Sequence, residues 1–450
     1  MNNKFQAFYD IIEEMKYVYL HDTRPWMIGF SGGKDSTLLC MLLFEMLNGL
    51  LPDQLHKQVY IVTSDTMVEN PIVRTYMHKA SKQIGDAGKH LNVVSDIIYP
   101  EMEDTFWSRV IGLGYPTPEP PGFRWCTDRL KIHPMTKYTI NKTKCNGEII
   151  LLLGVRKAES SYRANNIRNR EIEGKILVPH SAIEHAYVYN PLTEIPNEVV
   201  WEYLLKDAFT PWGTSTKYLF SLYQGENLGE EKSVLGEIKK EDIPITGNSR
   251  FGCWICTMVK EDKSLKNFID HGATKLKPLR DFRNWLLMMR SLPSARENKR
   301  RNGAVYQKKD GALGQGPFTM ESRMTILRKL LLLQEETGME LITQEELRCI
   351  DRMWEKDGDL SRRALVDLYY ETTGKRLPWD TYKVPIYDES VIKEIQSLCE
   401  EFDVEFELIS KLIVEIENNK SFARSMKLNK AFDKIMNQGW LHYYAIQEGI

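Results

Sequence analysis

A short apolar run, a polar turn with two glycines and a second apolar run follow one another near the amino terminus. Residues 26–30 read Trp-Met-Ile-Gly-Phe, residues 31–36 read Ser-Gly-Gly-Lys-Asp-Ser, and residues 37–46 are mostly apolar. This order predicts a buried strand, a tight loop and a helix over about 34–48. Such a turn typically holds a phosphate, because the backbone comes close at the glycines and the first N–H groups of the helix point at the anion.

The polar residues of this loop suit an anion of the phosphate type. Lys34 supplies a positive charge, and the hydroxyl groups of Ser31, Ser36 and Thr37 can donate hydrogen bonds. The loop lacks the G-x-x-x-x-G-K-[ST] spacing of a Walker A sequence. For the isolated hexapeptide the alternative stays open that it is only a turn before a core helix, with Lys34 and Asp35 solvated.

Further apolar runs follow the loop and alternate with helical patterns. Predicted strands lie at 58–63, 91–98 and 148–155, and predicted helices lie at 70–83 and 197–203. Strands that alternate with helices are typical of α/β proteins, so we predict a parallel five- to six-stranded sheet with helices on both faces. Ligands of such sheets bind at the carboxyl ends of the strands. Asp65, just past the second strand, is therefore a candidate for Mg²⁺ or nucleotide, with a helix N-cap as the alternative.

The chain changes character twice after this α/β pattern. We place a nucleotide-binding domain at 1–214, a region with a Cys-x-x-Cys pair and a basic run at 215–320, and a mainly helical region at 321–450. Helical patterns at 344–356 and 389–418 support the last assignment. By position alone, this helical region is a possible docking module for partner proteins.

Composition and charge exclude several classes of protein. The chain is 42% hydrophobic and 27% charged with a formal net charge of −2, which is typical of a globular protein and not of a polycation. It has neither a signal-peptide pattern nor an apolar run long enough to span a bilayer, so we expect a cytoplasmic location and no membrane partner.

Contact with DNA would need a local basic patch. The best candidate is a run of cations in the second region, with a solvated charge run as an equally good interpretation. The predicted DNA-binding residues are Arg296, Lys299, Arg300 and Arg301, followed by Lys308 and Lys309.

Seven cysteines, an odd number, argue against a disulfide framework. The pair Cys253-x-x-Cys256 can bring two sulfurs to one side of a turn and chelate a metal or a cluster. A redox pair and a structural pair are the alternatives. Cys145 and His271 are possible further ligands, whereas Cys40, Cys349 and Cys399 lie in helical patterns and are interpreted as core residues.

Cys126 stands in a loop at the expected ligand edge of the sheet. Its neighbours Arg124, Arg129 and Lys131 are cations, and we expect them to lower its pKa and favour the thiolate. Cys126 is therefore a third candidate ligand.

Taken together, these motifs resemble a known family. Ser31–Ser36 resembles the pyrophosphate loop of the adenine nucleotide α-hydrolases, and Gly154-Val-Arg156 with Arg163 resembles the second nucleotide-binding segment of their phosphoadenylylsulfate (PAPS) reductase branch. Residues 123–131 and 250–257 resemble, more closely still, the DndC-type ATP pyrophosphatases of bacterial DNA phosphorothioation.

The resemblance implies an iron–sulfur enzyme that cleaves ATP, with Mg²⁺, to AMP and pyrophosphate. Such enzymes help to replace a non-bridging oxygen of the DNA backbone with sulfur. They take that sulfur from a cysteine desulfurase and work with other phosphorothioation proteins in antiphage defence. The implied catalytic residues are Lys34, Asp35, Asp65 and Arg156. The implied nucleotide-binding residues are Ser31, Gly32, Gly33, Lys34, Ser36, Thr37, Asp65, Gly154, Arg156 and Arg163.

The resemblance also implies that Cys126, Cys253 and Cys256 bind an iron–sulfur cluster of the 4Fe-4S type. The chain departs from the family here, because the family has a further cysteine shortly after the Cys-x-x-Cys pair and the next one in this sequence is Cys349.

Two other functions fit parts of the sequence. A PAPS or APS reductase-like sulfonucleotide reductase would want a reactive cysteine in a mobile tail, and residues 440–450 contain none. A scaffold associated with DNA that only senses ATP is the non-enzymatic alternative.

Overall fold

The computed structural model describes residues 5–159, 161–169, 172, 175–225, 251–308, 311–419, 425–438 and 440. The chain divides into two compact units. Unit 1 comprises Met1–Pro100 and Arg124–Arg280, and unit 2 comprises Glu101–Phe123 and Asp281–Ile450. The division into three domains at residues 214 and 320 stays a prediction.

Unit 1 is built on one sheet of six strands in the order β3-β2-β1-β4-β6-β5. The strands are β1 Trp26–Gly29, β2 Val59–Ser64, β3 Val93–Ile98, β4 Ile149–Leu152, β5 Val178–Pro179 and β6 Ala186–Tyr189. All pairs are parallel except β5 with β6, which is antiparallel. The predicted α/β fold is therefore confirmed, with an antiparallel strand at one edge.

Two predicted strands are longer than the observed ones by two or more residues. The third begins at Val93 because Leu91 lies in a 3₁₀ turn and Asn92 adopts a left-handed conformation with φ of +59°. The fourth ends at Leu152, before the glycine turn that leads towards Arg156.

Helices cover both faces of the sheet, because neighbouring strand residues point to opposite sides. Met27 belongs to a buried cluster against which Met135 and Tyr138 of a helix pack. Trp26, the preceding residue, lies edge-to-face against Tyr19 of another helix, with ring centroids 5.3 Å apart.

The α-helices of the described chain begin and end as follows. In the first half they are α1 Gln6–Leu20, α2 Lys34–Asn48, α3 Pro71–Gly88, α4 Trp125–Thr127, α5 His133–Asn146, α6 Ser161–Arg168, α7 Asn197–Leu204 and α8 Thr216–Gln224. In the second half they are α9 Lys263–Asp270, α10 Lys277–Ser291, α11 Met320–Thr337, α12 Gln344–Lys356, α13 Ala364–Thr373, α14 Glu389–Glu401, α15 Phe406–Asn419 and α16 Ser425–Met436. None of the helices in the described residues has the length and hydropathy needed to cross a membrane.

Unit 2 is mainly helical, as predicted for the C-terminal region, but the helix predicted over 389–418 is two helices. α14 ends at Glu401 and α15 begins at Phe406. Between them, Asp403 adopts a left-handed conformation with φ of +51°, which interrupts the helical path.

The segment Glu101–Phe123 is anchored inside unit 2. Trp107 donates a hydrogen bond from its indole nitrogen to the carbonyl of Leu341 at 2.8 Å, and Trp354 donates one to the carbonyl of Ile111 at 2.9 Å. Both indoles are fully buried. The Pro/Gly-rich loop of this segment, 112–122, therefore packs with the helical unit although it lies between two strands of the sheet in sequence.

Candidate functional site

The loop between β1 and α2 has the backbone geometry of an anion-binding turn. Gly32 has a φ of +69°, and a Cβ atom there would lie 2.8 Å from Cγ of Met77, so a side chain would be strained and crowded. Gly33 is the N-cap of α2 and has no side chain with which to cap it. Because a helix leaves its first N–H groups unsatisfied, this start suits a phosphate.

The hydroxyl groups of the loop hold its shape. Oγ of Ser36 lies 3.1 Å from Oγ of Ser31, accepts from the Ser31 N–H at 3.2 Å and donates to the Gly33 carbonyl at 3.0 Å. Thr37 is fully buried, and its hydroxyl has no hydrogen-bond partner within the described part of the chain. These hydrogen bonds hold the loop in one shape before a ligand binds, and the hydroxyl of Thr37 has no partner inside the loop. Both features suit the binding of a nucleotide phosphate.

Arg156 lies behind the loop and is fully buried. Its Nε donates to Oδ1 of Asp35 at 2.7 Å, and its terminal nitrogens donate to the carbonyl of Ile195 at 3.0 Å and to Oδ1 of Asn197 at 2.8 Å. Oδ2 of Asp35 in turn lies 3.2 Å from Nζ of Lys34. Arg156 therefore connects the loop with the start of α7 and the residues just before it, and acts on Lys34 through Asp35.

Gly154 explains how β4 comes so close to the loop. A Cβ atom at this position would lie 3.0 Å from the carbonyl oxygen of Asp35. The two predicted nucleotide-binding segments are therefore adjacent. Arg163 lies in α6, and its side chain is outside the described part of the structure.

Tyr223 of α8 contacts the loop and was not predicted from the sequence. Its hydroxyl accepts a hydrogen bond from the backbone N–H of Lys34 at 2.9 Å, and its ring lies 5.8 Å from Nζ of Lys34. The ring packs against Trp201 at 5.0 Å and Phe251 at 4.6 Å between centroids. The phenol thus occupies one of the N–H groups that a phosphate would use. An aromatic residue far along the chain carries no sequence signal for this contact.

Asp65 lies at the predicted edge, but its carboxylate is already engaged. The side chain is fully buried, Oδ1 accepts from the N–H of Met67 at 2.7 Å, and Oδ2 lies 2.7 Å from Nε of Arg74 and 2.7 Å from Nε2 of His78. This arrangement suits Asp65 to orienting Arg74 and His78 and leaves it poorly placed to bind Mg²⁺. The spacing of Arg74 and His78, four apart on α3, is the signal that could have identified them.

The Cys-x-x-Cys segment docks onto the chain that follows β2. Cys253 forms an isolated antiparallel bridge with Glu69. The N–H of Trp254 donates to the carbonyl of Val68 at 3.1 Å, and the N–H of Asn70 donates to the carbonyl of Gly252 at 3.2 Å. The cysteine pair is thereby held at the same edge of the sheet as Asp65.

The thiol of Cys253 lies among polar and charged groups. Its Sγ is 3.5 Å from Oγ1 of Thr66, which donates to Oε1 of Glu69 at 3.0 Å, and Nζ of Lys131 lies 3.1 Å from the same Glu69 oxygen. Burial, together with the negative charge of Glu69, raises the pKa of Cys253, although Lys131 opposes the shift. The pair of Glu69 and Lys131 thus joins the cysteine segment to the chain that follows Cys126.

The prediction that flanking cations lower the pKa of Cys126 is wrong. Burial raises the pKa of this thiol, and the charge of Cys256 raises it further. Desolvation disfavours the charged form, and it outweighs the neighbouring cations here. The protonated thiol of Cys126 is therefore favoured, and a negative charge on Cys256 would favour it further.

No metal centre is formed by the side chains of the described residues: no group of three or more His, Cys, Asp or Glu is arranged to hold an ion. Cys145 is exposed, and Nδ1 of His271 lies 2.8 Å from the carbonyl of Asn267. The iron–sulfur cluster stays a prediction. Cys40, Cys349 and Cys399 are buried free thiols, which confirms their assignment to the core.

Two of the predicted DNA-binding residues are buried inside unit 2. Arg296 donates to the carbonyls of Gly316 at 2.7 Å and Arg290 at 3.1 Å. Lys299 lies 2.8 Å from Glu407 and 3.0 Å from Glu405, and its Nζ is 3.6 Å from the ring centroid of Trp440. Because these cations are satisfied internally, they are poorly placed to contact DNA.

The exposed members of the basic run are Arg300 and Arg301. The guanidinium of Arg300 lies 4.2 Å from the ring centroid of Tyr306, and Arg301 donates to the carbonyl of Leu113 at 2.5 Å. The prediction of DNA contact narrows to these two residues and Lys308, since Lys309 lies outside the described residues.

Comparison with known proteins now identifies the family. The phosphoadenosine phosphosulfate reductase domain matches residues 25–258, which include the loop, Asp65, Arg156 and the cysteine pair. The chain belongs to this family.

A relative of known sequence adds little about function. An uncharacterized protein of Methanocaldococcus jannaschii is 26% identical over 194 residues, which are 42% of this chain and 36% of that protein. The chain thus matches only about a third of the relative's length.

Proposed function

We propose that this protein cleaves ATP to AMP and pyrophosphate and uses the adenylate to activate a DNA phosphodiester for sulfur transfer. One observation carries the proposal: an anion-binding loop and a cysteine segment lie at the carboxyl ends of neighbouring strands. The loop follows β1, Cys253 pairs with Glu69 after β2, and β1 and β2 are parallel neighbours. An edge with both features suits a reaction that needs a nucleotide and sulfur together.

The chemistry balances in two displacements at phosphorus. A non-bridging oxygen of the DNA phosphodiester attacks the α-phosphorus of ATP, and pyrophosphate leaves. The terminal sulfur of a cysteine persulfide then attacks the phosphorus of the DNA, and AMP leaves with the oxygen that the sulfur replaces. A second thiol attacks the cysteine sulfur of the resulting P–S–S–Cys linkage, which releases the phosphorothioate and forms a disulfide. An external thiol reduces this disulfide and restores the cysteines. Asp35 forms ion pairs with both Arg156 and Lys34 and so holds Lys34 at the loop. Lys34 would neutralise charge on the departing pyrophosphate, together with Mg²⁺ bound to the nucleotide.

The sulfur side of the proposal rests on Cys126, Cys253 and Cys256. We propose that they receive sulfur supplied by a cysteine desulfurase partner. The DNA acceptor and the partner proteins rest on the resemblance of residues 123–131 and 250–257 to DndC-type proteins. No step is assigned to a metal cluster, because the described cysteines do not form a metal-binding group.

The test measures the products of ATP cleavage and the fate of sulfur. The protein is incubated with ATP, cysteine, a cysteine desulfurase and DNA, and the DNA is digested for mass spectrometry. We expect AMP and pyrophosphate, and DNA-dependent phosphorothioate linkages. Release of ADP and inorganic phosphate, or no nucleotide cleavage with and without DNA, would refute the proposal, and the second result would favour an ATP-sensing scaffold.

A sulfonucleotide reductase is the second candidate, because the matching family domain is named for that activity. This reaction would release sulfite from PAPS or APS in the presence of a thiol donor and would need no DNA. Sulfite release without DNA, combined with the absence of phosphorothioate, would establish the reductase.

The predicted iron–sulfur cluster has its own test. Anaerobically purified protein should contain iron and acid-labile sulfide, and Cys126→Ser, Cys253→Ser and Cys256→Ser should each remove them. Cys145→Ser is the matched control, because Cys145 is exposed and lies outside the cysteine segment. Iron-free protein that still forms phosphorothioate would show that the three thiols act without a metal.

A further inference from the structure

The buried carboxylate of Asp65 holds an arginine and a histidine side chain at the edge of the sheet. Nε of Arg74 and Nε2 of His78 both lie 2.7 Å from Oδ2 of Asp65. Because both nitrogens contact one oxygen atom, the guanidinium and the imidazole lie side by side. The other oxygen accepts from the N–H of Met67, a non-glycine residue with φ of +66°. The carboxylate is thus fully occupied and faces inward.

The outward faces of Arg74 and His78 remain available. Their side chains are 30% and 33% exposed, whereas Asp65 is 0% exposed. Within the described part of the chain, neither the two terminal nitrogens of Arg74 nor Nδ1 of His78 has a hydrogen-bond partner. An arginine bound through Nε keeps its terminal nitrogens for a second ligand, and their planar geometry matches an oxyanion. Nδ1 is a further donor when the ring is charged.

Arg74 and His78 belong to α3, and this helix also packs against the pyrophosphate loop. Tyr76 and Met77, which stand between Arg74 and His78 in α3, pack against Gly32 of the loop. Tyr99, directly after β3, is close enough to Asp65 and Arg74 for both of their charges to act on it. The side chains of Arg74 and His78 therefore line the strand ends beyond the loop, on the side of β3.

We propose that Arg74 and His78, positioned by Asp65, form a second oxyanion subsite that binds a phosphate ester group of the substrate. The subsite is separate from the loop that takes pyrophosphate. The assignment of pyrophosphate to the loop rests on the proposed function. The phosphate ester could be a 3′-phosphate on the nucleotide or a backbone phosphate of a nucleic acid, and both present the same tetrahedral oxyanion to the guanidinium.

The test compares ligands that differ by one phosphate. Binding to the full-length protein is measured by calorimetry for AMP, adenosine 3′,5′-bisphosphate, a short thymidine oligonucleotide and inorganic pyrophosphate. Arg74→Met is the test variant, and Lys82→Met, an exposed cation on the same helix, is the matched control. Arg74→Lys keeps the charge without the planar fork and serves if the methionine variant does not fold.

Losing a charged hydrogen-bond donor should weaken binding of the bisphosphate or the oligonucleotide by about tenfold to a hundredfold. Whichever ligand loses affinity identifies the source of the phosphate ester. Pyrophosphate affinity should stay the same in Arg74→Met, and Lys82→Met should change neither.

Two results would overturn the subsite. One is that Arg74→Met and Arg74→Lys bind every ligand as the wild type does. The other is that pyrophosphate loses affinity as strongly as the phosphate esters, which would mean that Arg74 only supports the loop. ATP cleavage by the wild type is measured separately, so failure of the proposed function leaves these binding results intact.

Discussion

Lys57 is a buried cation whose removal should stabilise unit 1. Lys57 lies just before β2, which begins at Val59. The residue is 3% exposed, and its Nζ has no hydrogen-bond partner within the described residues. The rings of Tyr19 and Trp26 lie 4.6 Å and 5.3 Å from this nitrogen. Burial lowers the pKa of Lys57 from its ordinary value of 10.5 to about 8. We therefore expect Lys57→Met to raise the free energy of unfolding.

The magnitude follows from two opposing effects. A depression of the pKa from 10.5 to about 8 corresponds to roughly 3 kcal/mol of unfavourable free energy for the charged form in the folded state. Attraction to two aromatic rings offsets about 1–2 kcal/mol of this cost. Methionine keeps the apolar length of the side chain and packs well against aromatic rings. The net gain for Lys57→Met near neutral pH is thus about 1–2 kcal/mol.

The dependence on pH has a definite sign. Because the folded-state pKa is the lower one, the unfolded chain binds more protons between about pH 8 and pH 10.5, and the stability of the wild type rises with pH across that window. Lys57→Met should lack this rise. Its advantage should therefore be largest below about pH 8 and disappear towards about pH 10.5.

The assay is urea unfolding at several pH values. A chain with two units need not unfold in one step, so the transition to analyse is the one that pyrophosphate shifts, which reports on unit 1. Lys82→Met, which removes an exposed cation, is the control and should change stability little. Destabilisation by Lys57→Met near neutral pH would refute the reasoning, because it would mean that the aromatic rings outweigh desolvation.

Three further predictions concern the candidate site and unit 2. Arg156→Gln should weaken pyrophosphate binding and destabilise unit 1 by about 3 kcal/mol, because it leaves Asp35 without its buried partner. Adding Asp35→Asn should recover part of that loss of stability. Strictly additive effects of the two substitutions in urea unfolding would contradict the coupling between these residues. Tyr223→Phe should tighten pyrophosphate binding about two- to tenfold in calorimetry, since it frees the N–H of Lys34; weaker binding would mean that the phenol itself contacts the anion. Reversing the charges of Arg300 and Arg301 should flatten the salt dependence of DNA binding, and an unchanged slope would remove this patch from consideration.

The features that the sequence predicted well depend on near neighbours in the chain. The hydrogen bonds among Ser31, Gly33 and Ser36 join residues no more than five positions apart. The same holds for the alternation of strands and helices that predicted the sheet. Strand order and the antiparallel β5 could not be read in this way, because they depend on which strands meet after the chain has folded.

The residues whose roles changed all depend on distant partners. Lys299 belongs to a basic run in sequence, but its carboxylate partners Glu405 and Glu407 lie more than a hundred positions away. Arg156 is matched to Asp35 across a comparable distance. Cys126 stands among cations in the sequence, yet burial decides its pKa. A charge run indicates composition, whereas only the fold shows which charges face solvent.

This contrast separates the two halves of the proposed reaction. Holding a phosphate requires mainly backbone N–H groups at a helix start, which a short sequence can specify by itself. Handling sulfur requires thiols whose reactivity depends on burial and on charges such as Glu69 and Lys131 that come from separate segments. The nucleotide half is therefore recognisable from Ser31–Ser36. The sulfur half is specified by tertiary structure, so variants at Glu69 or Lys131, and not only at the cysteines, should change sulfur transfer while leaving pyrophosphate binding unchanged.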